Sequence, residues 1–391
     1  MVTPRQHSNY FVDPKSRFRY SRAVRVGDRV IVSQTAPRWP DGSVDPDPEV
    51  QARRCLEIIS EGLKEVGSSL DDVVRTWLWQ RHPEDAVAVA RAHASVLGHI
   101  KPAVTQVCVA GFLDPRWSVE IEAEAVVGAP RERVPLATYP GYQASEDSLG
   151  WSRAYKVGNR VLVSCTAPIW PEGPRGAYDP DPEAQANRCW EVVNQALKAG
   201  GAGPEHVVRS HIWLKDGADG PPTARAHAAV FGSVLPATTQ LVLQGYLNPH
   251  WRVEVEAEAD LTPGRQNILH YVTLASSAQL GWSRAVRVGN RVLVSCTAPR
   301  WDDGHTEPDT KVQAHRCWEI ICGALKEAGA GPEHVVRTRI YIRHAKDGQA
   351  IADFSQEAFA SIDPAPALTL MTIHGYLNPA WRVEMECEAV I

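Results

Sequence analysis

The twelve residues VGNRVLVSCTAP occupy positions 157–168 and recur, letter for letter, at 288–299, with a near copy, VGDRVIVSQTAP, at 26–37. The copies extend well beyond this stretch. Tyr20, Trp151 and Trp282 open the related segments YSRAVRVGD, WSRAYKVGN and WSRAVRVGN, each 131 residues from the next. The closing segments SVEIEAEAV, RVEVEAEAD and RVEMECEAV place Glu120, Glu254 and Glu384 at spacings of 134 and 130 residues. A solenoid unit is far shorter, and a copy of this size can bury a core of its own. The 391 residues are therefore expected to form three domains, 1–128, 129–261 and 262–391. Stretches rich in Pro, Gly and Ser at 128–150 and 262–281 read as linkers.

Within the first copy, two β-rich runs flank Gly27-Asp28, which is a hairpin signal. A helix follows. Asp47 suits its N-cap, Pro48 its first position and Gly67 its stop. Ala52, Cys55, Leu56, Ile59, Leu63 and Val66 form its apolar stripe. DDVVRTWLWQ reads as a strand, EDAVAVARAHASVLG as a second helix, and AVTQVCVAG and SVEIEAEAVV as two closing strands. The unit is ββαβαββ, an α+β fold with both helices on one face of a mixed sheet. In the last strand Val119, Ile121, Ala123 and Ala125 face the helices, so Glu120, Glu122 and Glu124 face the other way. The same ladder recurs at Glu254, Glu256, Glu258 and at Glu384, Glu386, Glu388. Such carboxylates need partners if buried, and Arg75, Arg209 and Arg337 of the middle strand are the candidates. Trp77, Trp79, His211, Trp213, Arg339 and Tyr341 share that face. A face this aromatic and this charged reads as an interface, so three sheets should close around a pseudo-threefold axis.

Bulk properties exclude several classes. A net charge of −5 argues against a nucleic-acid partner, because phosphate binding needs a basic excess. No apolar run approaches the roughly 18 residues that span a bilayer, and the first twenty residues lack the apolar centre of a signal peptide. The 8 cysteines form no CxxC pair and fit free thiols in a reducing, cytoplasmic setting. No HExxH or clustered Cys/His motif is present, so neither metal nor cofactor is expected. The expected state is a monomer acting on a small molecule.

Each copy resembles the Rid (reactive intermediate deaminase) family, also called YjgF/YER057c/UK114. The matching pieces are the aromatic-led first strand, the VSxxxP second strand and the QAxRCxE helix. SSLDDVV or GPEHVVR leads to the next strand, KPAVTQV, LPATTQL and APALTLM lie near the fifth, and VEIEAEA closes the unit. The resemblance implies a chorismate-mutase-like fold and a homotrimer fused into a single-chain pseudo-trimer, with ligand clefts between neighbouring units. It also implies a cleft-lining aromatic, at Tyr20, Trp151 and Trp282, and a water-positioning glutamate, at Glu120, Glu254 and Glu384. The arginine that binds substrate carboxylate in the family is replaced by Val104, Thr238 and Leu368. Two residues on stand Gln106, Gln240 and Leu370.

These residues make the candidate site. Glu120, Glu254 and Glu384 are the candidate acid/base groups, with a structural glutamate–arginine pair as the competing role. Gln106 and Gln240, with Thr238, offer hydrogen bonds to a neutral polar group. Cys165 and Cys296 lie beside the expected clefts as nucleophiles or, more in keeping with a strand cysteine, as small buried hydrophobes. Arg38 and Arg300 stand where a replacement anchor is conceivable, while Ile169 takes that place in the second copy. Trp39, Trp170 and Trp301 are expected at a cleft rim, and Trp117, Trp251 and Trp381 in packing. The Leu368/Leu370 pair and Gln34 each mark a departure from the other copies, so the three clefts are expected to be unequal. The function expected is action on an imine, enamine or related C–N or enol intermediate, by hydrolytic deamination or a divergent dehydration or cyclisation. The alternative is a ligand-binding or assembly scaffold without catalysis. A ribonuclease role is disfavoured by the net charge.

Overall fold

The computed structural model describes residues 3–13, 16–136, 140–170, 178–272 and 279–391, and of 140–144 only the backbone. The first unit contains β1 (Arg5–Ser8), β2 (Ala23–Val26), β3 (Arg29–Thr35), α1 (Pro48–Glu65), β4 (Val73–Gln80), α2 (Ala86–Leu97), β5 (Ala103–Cys108) and β6 (Val119–Val126). The second contains β7 (Arg131–Val134), α3 (Pro140–Leu149), β8 (Ala154–Val157), β9 (Arg160–Thr166), α4 (Pro182–Ala199), β10 (Val207–Leu214), α5 (Gly220–Phe231), β11 (Ala237–Val242) and β12 (Val253–Asp260). The third contains β13 (Gln266–Ile268), β14 (Ala285–Val288), β15 (Arg291–Thr297), α6 (Thr310–Glu327), β16 (Val335–Ile342), α7 (Gly348–Ala358), β17 (Ala367–Thr372) and β18 (Val383–Val390).

Each unit is a six-stranded sheet, in the first case ordered β1-β2-β3-β6-β4-β5. The β4–β5 pair is parallel and the others antiparallel, which makes the sheet mixed. The expected ββαβαββ order is present with one strand added at its start. β1, β7 and β13 are short edge strands, and their sequences RQHS, RERV and QNI carry no alternating apolar signal. β7 and α3 lie inside the stretch read as the first linker, and β13 inside the second.

Local chemistry accounts for the long helices. Asp47 accepts the Glu49 N–H at 2.8 Å and Pro48 occupies the first turn of α1; Asp181 and Pro182 repeat the arrangement in α4. The apolar stripe of α1 buries Ala52, Cys55, Leu56, Ile59 and Leu63 against Val119, Ile121, Ala123 and Ala125 of β6. The same core recurs in the other units. Burial of the leucine, isoleucine and valine side chains among them contributes roughly 1.5–3 kcal/mol each.

The helix-free faces of the three sheets meet at a pseudo-threefold axis. Trp77, Trp79, Trp213 and Tyr341 pack there with Val107, Leu241 and Met371. Neighbouring units are stitched by one repeated seam. The backbone N–H groups of Val104, Thr238 and Leu368 donate to Ser164, Ser295 and Ser33 Oγ of the adjoining unit, each at 2.8 Å. The first and third units therefore pair as the other two junctions do, and the single chain closes into a ring.

The lower two rungs of each glutamate ladder are buried at this axis. Arg29 donates to Glu124 and Glu388, Arg160 to Glu124 and Glu258, and Arg291 to Glu258 and Glu388, at 2.6–3.1 Å. Three arginines and three glutamates thus alternate around the axis. Burial pushes the Glu124, Glu258 and Glu388 carboxyls up, but these arginines overcome it and hold all three below the usual range. The arginines expected as partners play a smaller part. Arg337 bonds Glu388 at 2.9 Å, whereas Arg75 and Arg209 stand 3.7–3.8 Å from their carboxylates and donate to the Val163 and Cys387 carbonyls. The true partners come from the hairpins VGDRV and VGNRV, whose arginine repeats in all three copies. One rung up, the symmetry breaks. Trp77, His211 and Arg339 occupy matching places: His211 lies 2.7 Å from Glu256 and 3.2 Å from Glu386, and Arg339 bridges Glu122 and Glu386 at 3.0 and 2.9 Å. Thr105 and Thr239 also hydrogen-bond Glu256 and Glu386.

Candidate active site: three inter-unit clefts

The top rung of each ladder opens into a cleft at a seam. Between the first and second units, Val104 and Gln106 of β5 face Trp151, Arg153, Cys165 and Glu254 across about 200 Å³ of cavity. Between the second and third, Thr238 and Gln240 of β11 face Trp282, Arg284, Cys296, Arg300 and Glu384 across about 660 Å³. Between the third and first, Leu368 and Leu370 of β17 face Tyr20, Arg22, Gln34, Arg38 and Glu120 across about 180 Å³. The candidate glutamates, cysteines, glutamines and arginines, with Tyr20, Trp151, Trp282 and Thr238, lie in these clefts, each of which is shared between a fifth strand and the next unit's first, second and last strands. Trp117, Trp251 and Trp381 also line the clefts, whereas Trp39, Trp170 and Trp301 are absent from the walls. The packing expected of Trp117, Trp251 and Trp381 is present, against the axis cluster, and the cleft rim expected of the Trp39 set is not. The loop bearing the Trp39 set turns back toward the first long helix, where Arg54 lies over the Trp39 ring at 5.7 Å.

Pleating decides which groups face the cleft. Glu254 alternates with Val253 and Val255, so its carboxylate leaves the sheet on the axis side. There Cys165 Sγ donates to Glu254 Oε2 at 3.1 Å, and Cys296 Sγ donates to Glu384 Oε2 at 3.2 Å. Burial pushes both carboxyls up to about 7, against the thiol hydrogen bonds and the nearby arginines. Burial, and then the adjoining carboxylates, push both thiols well above the ordinary range. Each cysteine thus stands as a hydrogen-bond donor to its glutamate, in surroundings that favour the neutral thiol. Arg153 and Arg284 brace the same wall. Each donates to a threonine hydroxyl, Thr166 or Thr297, and stacks over its own unit's tryptophan at about 5 Å.

The glutamine amides are engaged within the protein. The Gln106 amide donates to Gln80 Oε1 at 2.7 Å and to the Ala86 carbonyl at 2.9 Å; the Gln240 amide donates to Thr223 Oγ1 and the Gly220 carbonyl. With the NH₂ groups so engaged, each side chain has its carbonyl oxygen to offer, and this receives an N–H or O–H rather than a carbonyl. Thr238 Oγ1 is 2.9 Å from Ser210 Oγ and 3.2 Å from the Pro236 carbonyl, so its hydroxyl serves the protein. His93 and His227 are buried against Thr76 and Ser210 hydroxyls at 2.9 Å, and burial lowers both to about 4, which keeps them neutral.

The third cleft is built differently. Gln34, in place of the cysteines, reaches across the seam and accepts the Leu370 N–H at 2.8 Å. The two departures noted in separate copies, Gln34 in the first and the leucine pair in the third, thus meet in one cleft. Burial drives the Glu120 carboxyl well above the usual range, against Arg22 and Arg38. Among the described residues, no group of three or more His, Cys, Asp or Glu side chains is arranged to hold a metal ion, and no helix is long and apolar enough to cross a membrane.

Comparison with known proteins agrees with this architecture. The family model described as Endoribonuclease L-PSP matches three times, over residues 12–127, 143–261 and 273–391. The chain is 36% identical over 113 residues to an uncharacterised protein of Streptomyces coelicolor, covering 29% of this chain and 84% of the relative. It is 32% identical over 115 residues to a RutC family protein of Pyrococcus abyssi, covering 29% and 88%. Among solved structures it is similar to Rv2704 of Mycobacterium tuberculosis, described as a member of the YjgF/YER057c/UK114 family, at 26% identity and TM-score 0.29, covering 33% of this chain and all of that one. With the family model matched once in each unit, the chain belongs to the Endoribonuclease L-PSP family, the YjgF/YER057c/UK114 group, and carries its domain three times.

Proposed function

We propose that the chain is an enzyme acting on an imine, an enamine or a related C–N or enol intermediate in its first and second clefts, by hydrolytic deamination. The observation that carries this reading is the buried glutamate of each cleft, brought to about 7 with one oxygen held by a thiol. A carboxyl poised near neutral pH can both take and return a proton. Ionised Glu254 or Glu384 takes a proton from water as its oxygen bonds the imine carbon, and the C=N electron pair moves to nitrogen, which receives that proton from the glutamic acid. The glutamate then takes the carbinolamine hydroxyl proton and passes it to the amine nitrogen, the C=O bond forms, and ammonia leaves with the C–N electrons. Imine plus water gives carbonyl plus ammonia. Gln106 or Gln240 receives a hydrogen bond from an N–H or O–H of the substrate, and the tryptophans flank it. A dehydration or cyclisation of a larger substrate would use the same proton transfers. An RNA substrate is disfavoured by the net charge of −5.

The third cleft is proposed as a structural seam, because Gln34 engages the strand edge and its fifth-strand pair is apolar. Ammonia release from freshly generated 2-aminoacrylate and from a longer imino acid tests the reading. It expects acceleration over the uncatalysed reaction, lost in the Glu254→Gln, Glu384→Gln double variant. No acceleration with either compound would overturn deamination.

A further inference from the structure

The first and second clefts share a glutamate, its thiol donor, a glutamine acceptor, a tryptophan and a braced arginine, but they differ by one charge. After the VSCTAP strand the second unit carries Ile169, a wall residue of the first cleft, and the third unit carries Arg300, a wall residue of the second. Arg300 lies over the Trp381 ring at 5.6 Å, and its positive charge acts on the Glu384 carboxyl in the same cleft. Among the described residues no carboxylate lies within 4.0 Å of its guanidinium, although exposed arginines elsewhere in the chain are paired. Among the described residues, the first cleft thus holds one cation, Arg153, against Glu254, and the second holds two, Arg284 and Arg300, against Glu384. The second cavity is also larger, about 660 against about 200 Å³.

We infer that the two clefts divide their ligands by charge: the second takes a planar carboxylate that also carries an N–H or O–H, and the first takes a smaller, uncharged counterpart. Arg300 receives the carboxylate as a charge-assisted pair, Trp282 and Trp381 flank the ring, and the Gln240 carbonyl oxygen receives the N–H or O–H. In the first cleft the same ring and donor are received by Trp151 and Gln106, and Ile169 presents an apolar surface where a carboxylate would lose its hydration without a partner. The inference rests on the reading that these clefts bind the reacting molecule, but not on the reaction.

The test uses the full chain and a pair of near-isosteric fluorescent probes, 2-aminobenzoate and 2-aminobenzamide, titrated by the emission of the probe. Arg300→Gln is expected to weaken 2-aminobenzoate about tenfold or more and to leave 2-aminobenzamide within about twofold. Ile169→Arg, which copies the residue of the other two units, is expected to create a second 2-aminobenzoate site. Arg38→Gln, in the third cleft, is expected to change neither probe. The inference is overturned if Arg300→Gln leaves 2-aminobenzoate within about twofold, if Arg38→Gln is the variant that removes it, or if it does not bind at ~10 mM. Because the readout is binding, a chain that shows this pattern without releasing ammonia refutes the reaction alone. One that releases ammonia without the pattern refutes the charge division alone.

Discussion

Cys165 and Cys296 constrain Glu254 and Glu384 as much as they are constrained by them. Removing the thiol in Cys165→Ala withdraws a hydrogen bond that favours the ionised carboxylate, so the Glu254 carboxyl should titrate above about 7. The expected result is an upward shift of the acid limb of the ammonia-release profile, restored by Cys165→Ser. Stability carries the same signature. A glutamate that titrates near 4.5 unfolded and near 7 folded stabilises the protein below 4.5, and that contribution is lost as pH rises through 7. Each such shift corresponds to a loss on the order of 3 kcal/mol. Glu254→Gln should therefore raise the melting temperature at pH 8 and leave it unchanged at pH 4, as differential scanning calorimetry can show. Glu256, Glu258, Glu386 and Glu388 have the opposite sign. They are held low, so their contribution is lost as pH falls below 4.5. At this scale the repeat made the glutamates and aromatics legible, because three aligned copies show which positions keep their chemistry. The partner of each thiol was not legible, because Cys165 and Glu254 are 89 residues apart and meet only across the pairing of the second and last strands.

The elements were readable where local rules act alone. Asp47, Pro48 and the stripe from Ala52 to Leu63 predict the first long helix, and the cap is present. Asp47→Ala should cost about 1 kcal/mol, measured by urea unfolding at neutral pH, with the helix retained. The edge strands β1, β7 and β13 were not readable. Three or four residues pairing only through their backbone need no apolar alternation, so RQHS, RERV and QNI look like linker. The place of the Trp39 set, away from the cleft walls, was not readable for a similar reason. Trp39 and Trp117 both sit in loops, and only the turn of the chain toward α1 or toward the cleft separates them.

The ring of Arg29, Glu124, Arg160, Glu258, Arg291 and Glu388 belongs to the whole molecule, since every ion pair in it but three joins different units. Removing one member strands buried charge, so Arg160→Met should destabilise by about 3–5 kcal/mol. Because the ring and the seams tie the units together, fluorescence and circular dichroism should follow one coincident unfolding transition in urea; three separated transitions would show the units to be independent. The pseudo-threefold interface was legible in the charged and aromatic sheet face. Its ion-pair partners were not, because the hairpin arginines reach the axis only once the sheets are brought together. The same assembly shows why the clefts are unequal. Fusion lets Gln34 and the Leu368/Leu370 pair meet in one cleft while the other two keep a thiol, a glutamate and a glutamine. The most direct measurement is ammonia release by Glu120→Gln, Glu254→Gln and Glu384→Gln, made singly. Two unequal working clefts predict that Glu384→Gln loses turnover of an imino acid, that Glu254→Gln loses turnover of an uncharged imine, and that Glu120→Gln keeps both; equal losses in all three variants would contradict the account.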